Sequence, residues 1–132
     1  SAIALGADFA YLGTRFIATE EANAEPEYKK MLEESAAKDI VYSSLFTGVL
    51  GNYLKPSIEN AGMDPENLPD ADKTSMNFGS GGNTDSKAWK DIWGSGQGIG
   101  GIQDSPSVSE LVGRLKKEYE EAFNEFKSKM GV

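Results

Sequence analysis

Two short segments carry residue types that let a backbone hold an anion. Gly13-Thr14 follows the apolar run Phe9-Ala10-Tyr11-Leu12 and precedes Arg15-Phe16-Ile17. A parallel strand that ends in glycine and turns into a helix aims backbone N–H groups outward, and phosphate is a common occupant of such a turn. Gly13 permits close approach to the main chain, and the Thr14 hydroxyl adds a donor. A tight strand-to-helix turn with no ligand accounts for Gly13 equally well. The second segment is Gly94-Ser95-Gly96-Gln97-Gly98-Ile99-Gly100-Gly101. By letter it satisfies the dinucleotide fingerprint at Gly96, Gly98 and Gly101, but that fingerprint needs a strand before it, a helix after it and an acid about 20 residues on. Here a predicted Trp89–Trp93 helix precedes it and Ile102-Gln103-Asp104-Ser105-Pro106 follows. The stretch is expected to be a loop in which Gln97 presents an amide to a ligand, or a plain connection between helices.

The remaining candidates read as structural. Trp89, Trp93 and Tyr119 have the rings to stack on an aromatic ligand, but aromatics at helical spacing are more often core, and core is expected. The pairs Glu20-Glu21, Glu33-Glu34 and Glu120-Glu121 are adjacent in sequence, and adjacent residues do not share a helix face. They are expected to be solvated charge, not a catalytic dyad or a metal site.

Composition narrows the chemistry. The 132 residues, about one domain's worth, contain neither cysteine nor histidine. Disulfides, thiolate catalysis and Cys-ligated metal are therefore excluded, and the commonest general base is missing from the chain. Lys and Arg number 13 against 21 Asp and Glu, a formal charge of −8. That balance argues against nucleic acid and against an anionic membrane surface. It does not exclude a small anion held by backbone N–H groups. No apolar run reaches the ~18 residues of a membrane span. No signal peptide is evident, the first residue is not Met, and a processed or cut N-terminus is expected. A reducing, cytoplasmic setting fits this composition.

These residues need elements to position them. Ser1 to Leu5 reads as the last turn of a helix with Gly6 as its C′ residue. Phe9 to Leu12 reads as a strand of a parallel sheet covered on both faces. Such a strand has no ladder or cover of its own, so the chain is expected to begin in the middle of a larger fold. Arg15 to Glu21 should make a short helical turn. Pro26 suits the first position of a helix running from Glu25 to about Ala37. Asp39 to Phe46 should give one or two strands, and Gly48 to about Asn60 a helix that Pro56 kinks or starts. Asp64 to Ser86, with Gly79-Ser80-Gly81-Gly82-Asn83, reads as loop, followed by a helix over roughly Ser86 to Trp93. The last helix is the clearest element. Val108, Leu111, Val112, Leu115, Tyr119, Ala122, Phe123, Phe126 and Met130 form one apolar stripe that must pack on something. Ser105-Pro106 and Ser107-x-x-Glu110 are alternative starts for it.

Three stretches together resemble the nitronate monooxygenase (2-nitropropane dioxygenase) family of FMN-dependent TIM barrels, whose broader relatives include a bacterial enoyl-acyl-carrier-protein reductase. They are Ala2 to Asp8 with Leu12-Gly13-Thr14-Arg15-Phe16-Ile17-Ala18-Thr19-Glu20-Glu21; Leu45-Phe46-Thr47-Gly48; and Ala88 to Trp93 with Gly96-Gln97-Gly98-Ile99-Gly100, Asp104-x-Pro106 and the last helix. The resemblance implies an α/β chain, the C-terminal fragment of a (β/α)8 TIM barrel with a mainly helical C-terminal cap. Phe9 to Leu12 would be the eighth strand. Gly13 and Thr14 would bind the FMN phosphate, and Gly96-Gln97 would return over the flavin, making Gly13, Thr14 and Gln97 the cofactor-binding residues. The reaction implied is oxidation of an alkyl nitronate with oxygen. The family's proposed base is a His on an earlier strand, so no catalytic residue is assigned within this chain.

The resulting organisation is residues 1–24 as last strand and phosphate turn, 25–104 as a mainly helical cap with Gly-rich loops, and 105–132 as a helix packing on the barrel. A full barrel takes about 250 residues. The chain alone is therefore expected neither to hold FMN nor to turn over nitronates, its partner being the missing N-terminal barrel portion. Two other readings stay open: a reductase of the same barrel type acting on an enoyl thioester or quinone, and a non-enzymatic helical interaction module.

Overall fold

Two short antiparallel strands organise the interior. The structure, a computed structural model, describes residues 2–69 and 91–131. Strand β1 (Ile40–Ser43) pairs with β2 (Gly51–Leu54) in the register Ile40 to Leu54, Val41 to Tyr53, Tyr42 to Asn52 and Ser43 to Gly51. Successive side chains on a strand point to opposite faces, and each face of this ribbon has its own core. Ile40 and Leu54 face a cluster of Ala18, Leu32, Ile99 and Ile102. Val41 and Tyr53 face Phe46, Ile58 and Ile92. Gly94 bridges to Tyr53 beside β2, so the glycine-rich segment leaves along the sheet edge.

The helices end where local chemistry ends them. Helix α1 is one turn, Thr14–Ile17. Helix α2 (Pro26–Glu34) opens on Pro26, whose missing N–H costs nothing in a first turn. It stops short of Ala37 because the Ala36 N–H donates to the Asp39 carboxylate at 2.8 Å and a 3-10 turn, Ala37–Asp39, takes over. Helix α3 (Lys55–Asn60) has Pro56 in its first turn. Helix α4 (Val108–Met130) is the long C-terminal one. Its register is settled in favour of Ser107, whose hydroxyl accepts from the Glu110 N–H at 3.2 Å, and Gly131 closes it at φ 73°. Among the described residues no helix is long and apolar enough to cross a membrane.

Four expectations need correction or qualification. Residues 48–60 are not one helix but β2 followed by α3. Pro56 bars the helix from extending back toward Gly51, while β1 supplies a ladder partner and the two core faces take Tyr53 and Leu54. Phe9 to Leu12 has no assigned secondary structure and joins no ladder among the described residues, with Phe9 89% and Tyr11 98% exposed. A parallel strand needs neighbours on both edges and cover on both faces, and β1 and β2 pair only with each other. Tyr119 is exposed rather than core, along with Val112, Phe123, Phe126 and Met130; only Leu111 of the α4 stripe is buried. Trp93 does join the core, stacked on Tyr28 at 5.0 Å between ring centroids. Trp89, the 79–83 loop and most of the Ser86–Trp93 helix lie outside the described residues.

Candidate functional site

The Gly13-Thr14 turn and the Gly96–Gly101 segment, more than eighty positions apart in sequence, meet across a single hydrogen bond. The Gly96 N–H donates to the Thr14 hydroxyl oxygen at 2.9 Å. The Thr14 oxygen thus acts as acceptor, and its own proton has no acceptor among the described residues. Thr14 and Arg15 lie in the first turn of α1, where a helix offers their N–H groups no acceptor of its own. Residues Gln97–Gly101 coil into a 3-10 helix anchored by buried Ile99 and followed by buried Ile102.

Between these segments lies an open cavity of about 540 Å³, lined by Gly13, Thr14, Gly96, Gly98, Gly101 and Arg114 among others. Gln97 sits between two lining glycines but is itself exposed and outside the lining. The glycines are informative. None of Gly13, Gly98 and Gly101 has a positive φ, and a Cβ built on any of them meets no atom within 4 Å. Among the described residues neither backbone conformation nor packing calls for glycine at these positions, and bare backbone there leaves room for close approach by another group. This donor set, with bare backbone, first-turn N–H groups and a hydroxyl proton, fits the phosphate end of a cofactor such as FMN.

An ionic cluster borders the cavity, and sequence reasoning missed it. Arg15 donates from Nη1 to the carbonyls of Ala18 (2.9 Å) and Asp104 (3.1 Å), and from Nη2 to Asp104 Oδ1 (2.8 Å). Arg114 closes on the same carboxylate with both of its terminal nitrogens, at 2.9 and 2.7 Å. The hydrogen bonds and charge of Arg114, reinforced by Arg15, hold the Asp104 carboxyl below the usual carboxylate range. The same pairing raises the Arg114 pKa.

The acidic pairs are not simply solvated either. Glu21 accepts from the Val108 N–H with both carboxylate oxygens, at 3.0 and 2.9 Å, at the start of α4. Glu33 accepts from the Ser105 hydroxyl at 2.6 Å. In these two pairs one member makes a specific bond that adjacency in sequence does not reveal, while Glu120 and Glu121 are exposed. The described residues contain no cluster of three or more His, Cys, Asp or Glu side chains able to hold a metal.

Residues 1–118 match the family model of nitronate monooxygenase. The chain belongs to the nitronate monooxygenase family. That family is one of flavin-dependent oxidoreductases. Among solved structures the chain is similar to the FabK (M276A) mutant from Thermotoga maritima, with a TM-score of 0.64 and 20% identity over 96% of this chain. At that identity the likeness shows the fold alone: a mixed helix-and-strand chain matching part of a TIM-barrel protein. The chain spans 39% of the length of that FabK chain. No curated protein matches it.

Proposed function

We propose that this chain is the C-terminal part of an FMN-dependent, nitronate monooxygenase-like oxidoreductase that oxidises alkyl nitronates with oxygen, and that its Gly13-Thr14 turn holds the FMN phosphate. One observation carries the reading: in a chain of this family, glycines that no positive φ and no contact among the described residues accounts for line one cavity with Thr14 and the first turn of α1. A bound FMN would supply the redox chemistry that nitronate oxidation requires.

This chain's own contribution is binding and orientation. The Thr14 and Arg15 N–H groups donate to the phosphate oxygens at the head of α1, and the Thr14 proton adds a hydrogen bond. Gly13 keeps the main chain open to close approach. Gly96 fixes the Thr14 rotamer through its N–H and so leaves the hydroxyl proton free to donate. Gln97, exposed at the start of its 3-10 turn, has room to reach a ligand seated over the cavity. The resemblance to the family implies a His base on an earlier strand; the 132 residues contain no His, so that base would lie in the N-terminal barrel portion, the partner proposed for this chain.

Two proteins test the proposal: the 132 residues alone, and a longer polypeptide carrying the upstream barrel portion. The longer protein is expected to purify yellow with stoichiometric FMN and to consume oxygen when given an alkyl nitronate. The short chain is expected to be colourless. Stoichiometric FMN on the short chain overturns the fragment reading. Gly13→Asp in the longer protein should abolish flavin retention, by charge repulsion and by blocking the backbone. Full FMN content in that variant removes Gly13 from the site.

A further inference from the structure

Arg15 follows Thr14 directly, and its guanidinium is nearly enclosed, with 13% of the side chain exposed. Its three acceptors are the Ala18 carbonyl, the Asp104 carbonyl and Asp104 Oδ1, so the arginine is held within its own turn and against residue 104 at once. Arg114 takes both oxygens of the same carboxylate in the bidentate geometry that fixes orientation as well as distance. Asp104 thus joins Arg15 in the phosphate turn to Arg114 on α4. The turn needs such an anchor, because a helix of four residues cannot hold itself. The other ties between the two regions lie farther along, at Glu20 N–H to the Pro106 carbonyl (3.1 Å) and Glu21 to Val108. The terminal nitrogens of Arg15 are engaged by the Ala18 carbonyl and Asp104, and those of Arg114 by Asp104, so the phosphate is assigned to the backbone and the Thr14 hydroxyl.

We propose that Asp104 is the positioning residue of the phosphate turn: through Arg15 it sets where Gly13 and Thr14 stand relative to Gly96 and α4, and so governs recognition of the phosphate without touching it. This rests on the FMN reading above. Asp104 is charged at neutral pH as an ordinary aspartate is, and its two guanidinium partners lower its pKa further, so the clamp is closed under working conditions.

Riboflavin, which lacks the phosphate, makes the test specific. FMN and riboflavin are titrated separately onto the flavin-free longer protein, in wild-type, Asp104→Asn and Arg15→Lys forms. Asp104→Asn should weaken FMN about tenfold and leave riboflavin unchanged, as expected for loss of a charged clamp. Arg15→Lys keeps the charge but loses the planar fork, and should do the same. Equal losses for both flavins would mean a general structural role and overturn the inference. So would unchanged FMN binding, and so would tighter FMN binding, which would show that Asp104 merely screens the arginines. A wild type with no preference for FMN over riboflavin sinks the phosphate assignment, and this inference with it. A variant that keeps the wild-type preference sinks the inference alone.

Discussion

Glycines at the cavity separate two kinds of requirement that look identical in a sequence. Gly51 is needed by the chain itself: a Cβ there would stand 3.0 Å from the Tyr53 hydroxyl and 3.2 Å from two of its ring carbons. Gly98 would meet nothing and has no positive φ. Gly98→Ala should therefore leave the isolated chain as stable as before, or raise its stability by about 0.4–1 kcal/mol through the unfolded state. The same change in the longer protein should lower FMN retention. Thermal melts and flavin content check the two halves, and a clear loss of stability in the isolated chain would show that Gly98 serves packing. At this scale the sequence made the glycines and Thr14 legible, because close backbone approach needs those residue types wherever they occur. It did not reveal the Asp104 clamp. Arg15, Asp104 and Arg114 have ordinary spacing, and only the fold brings Arg15 across 89 positions to Asp104. Glu21 was equally hidden. Its role is to cap a helix distant in sequence, and a test of whether two neighbouring carboxylates share a face does not address that.

At the scale of elements, the patterns that could be read were those with local causes. Pro26, Ser107-x-x-Glu110 and the α4 stripe each act within a few residues, and each gave its element. Ser107→Ala should cost about 1 kcal/mol, the usual worth of a hydroxyl cap. Denaturant unfolding of the purified chain measures it, and no change would mean that the Glu21 carboxylate on the Val108 N–H does the capping unaided. Where causes are distant, the sequence misled. β2 contains Gly51 and Asn52, poor strand formers, and is a strand because β1 lies beside it. Phe9 to Leu12 has good strand composition but no ladder among the described residues. Strand character belongs to the pair rather than to the segment, so one signal was missed and the other remained unmet.

At the scale of the molecule, two apolar regions face outward. One is the N-terminal segment, where Leu5 is 88%, Phe9 89% and Tyr11 98% exposed. The other is the α4 stripe, where Tyr119, Phe123, Phe126 and Met130 are all more than half exposed. Contiguous exposed apolar surface marks a site of contact. The stripe is also wide: Ala122-Phe123 lies beside Tyr119 and Phe126, a breadth typical of helices facing a globular core rather than a two-helix seam. The isolated 132 residues should therefore self-associate with rising concentration in sedimentation velocity. Phe123→Gln with Phe126→Gln should reduce that association. A wild-type chain that stays monomeric at high concentration would mean that these rings rest on this chain's own surface.

The hydrogen bonds at the root of the glycine-rich segment insulate the cavity from what lies between them. The Leu54 N–H donates to the Trp93 carbonyl at 2.8 Å, and the Ser95 N–H donates to the Asn52 carbonyl at 3.2 Å. These two bonds, with the Tyr53–Gly94 bridge, hold Asn52–Leu54 and Trp93–Ser95 side by side at one neck. Closing a loop costs free energy that grows only with the logarithm of its length, about 0.6 kcal/mol for each doubling. With both ends held at the neck, the spacing of Thr14 and Gly96 is set there and not by the length of chain between Leu54 and Trp93.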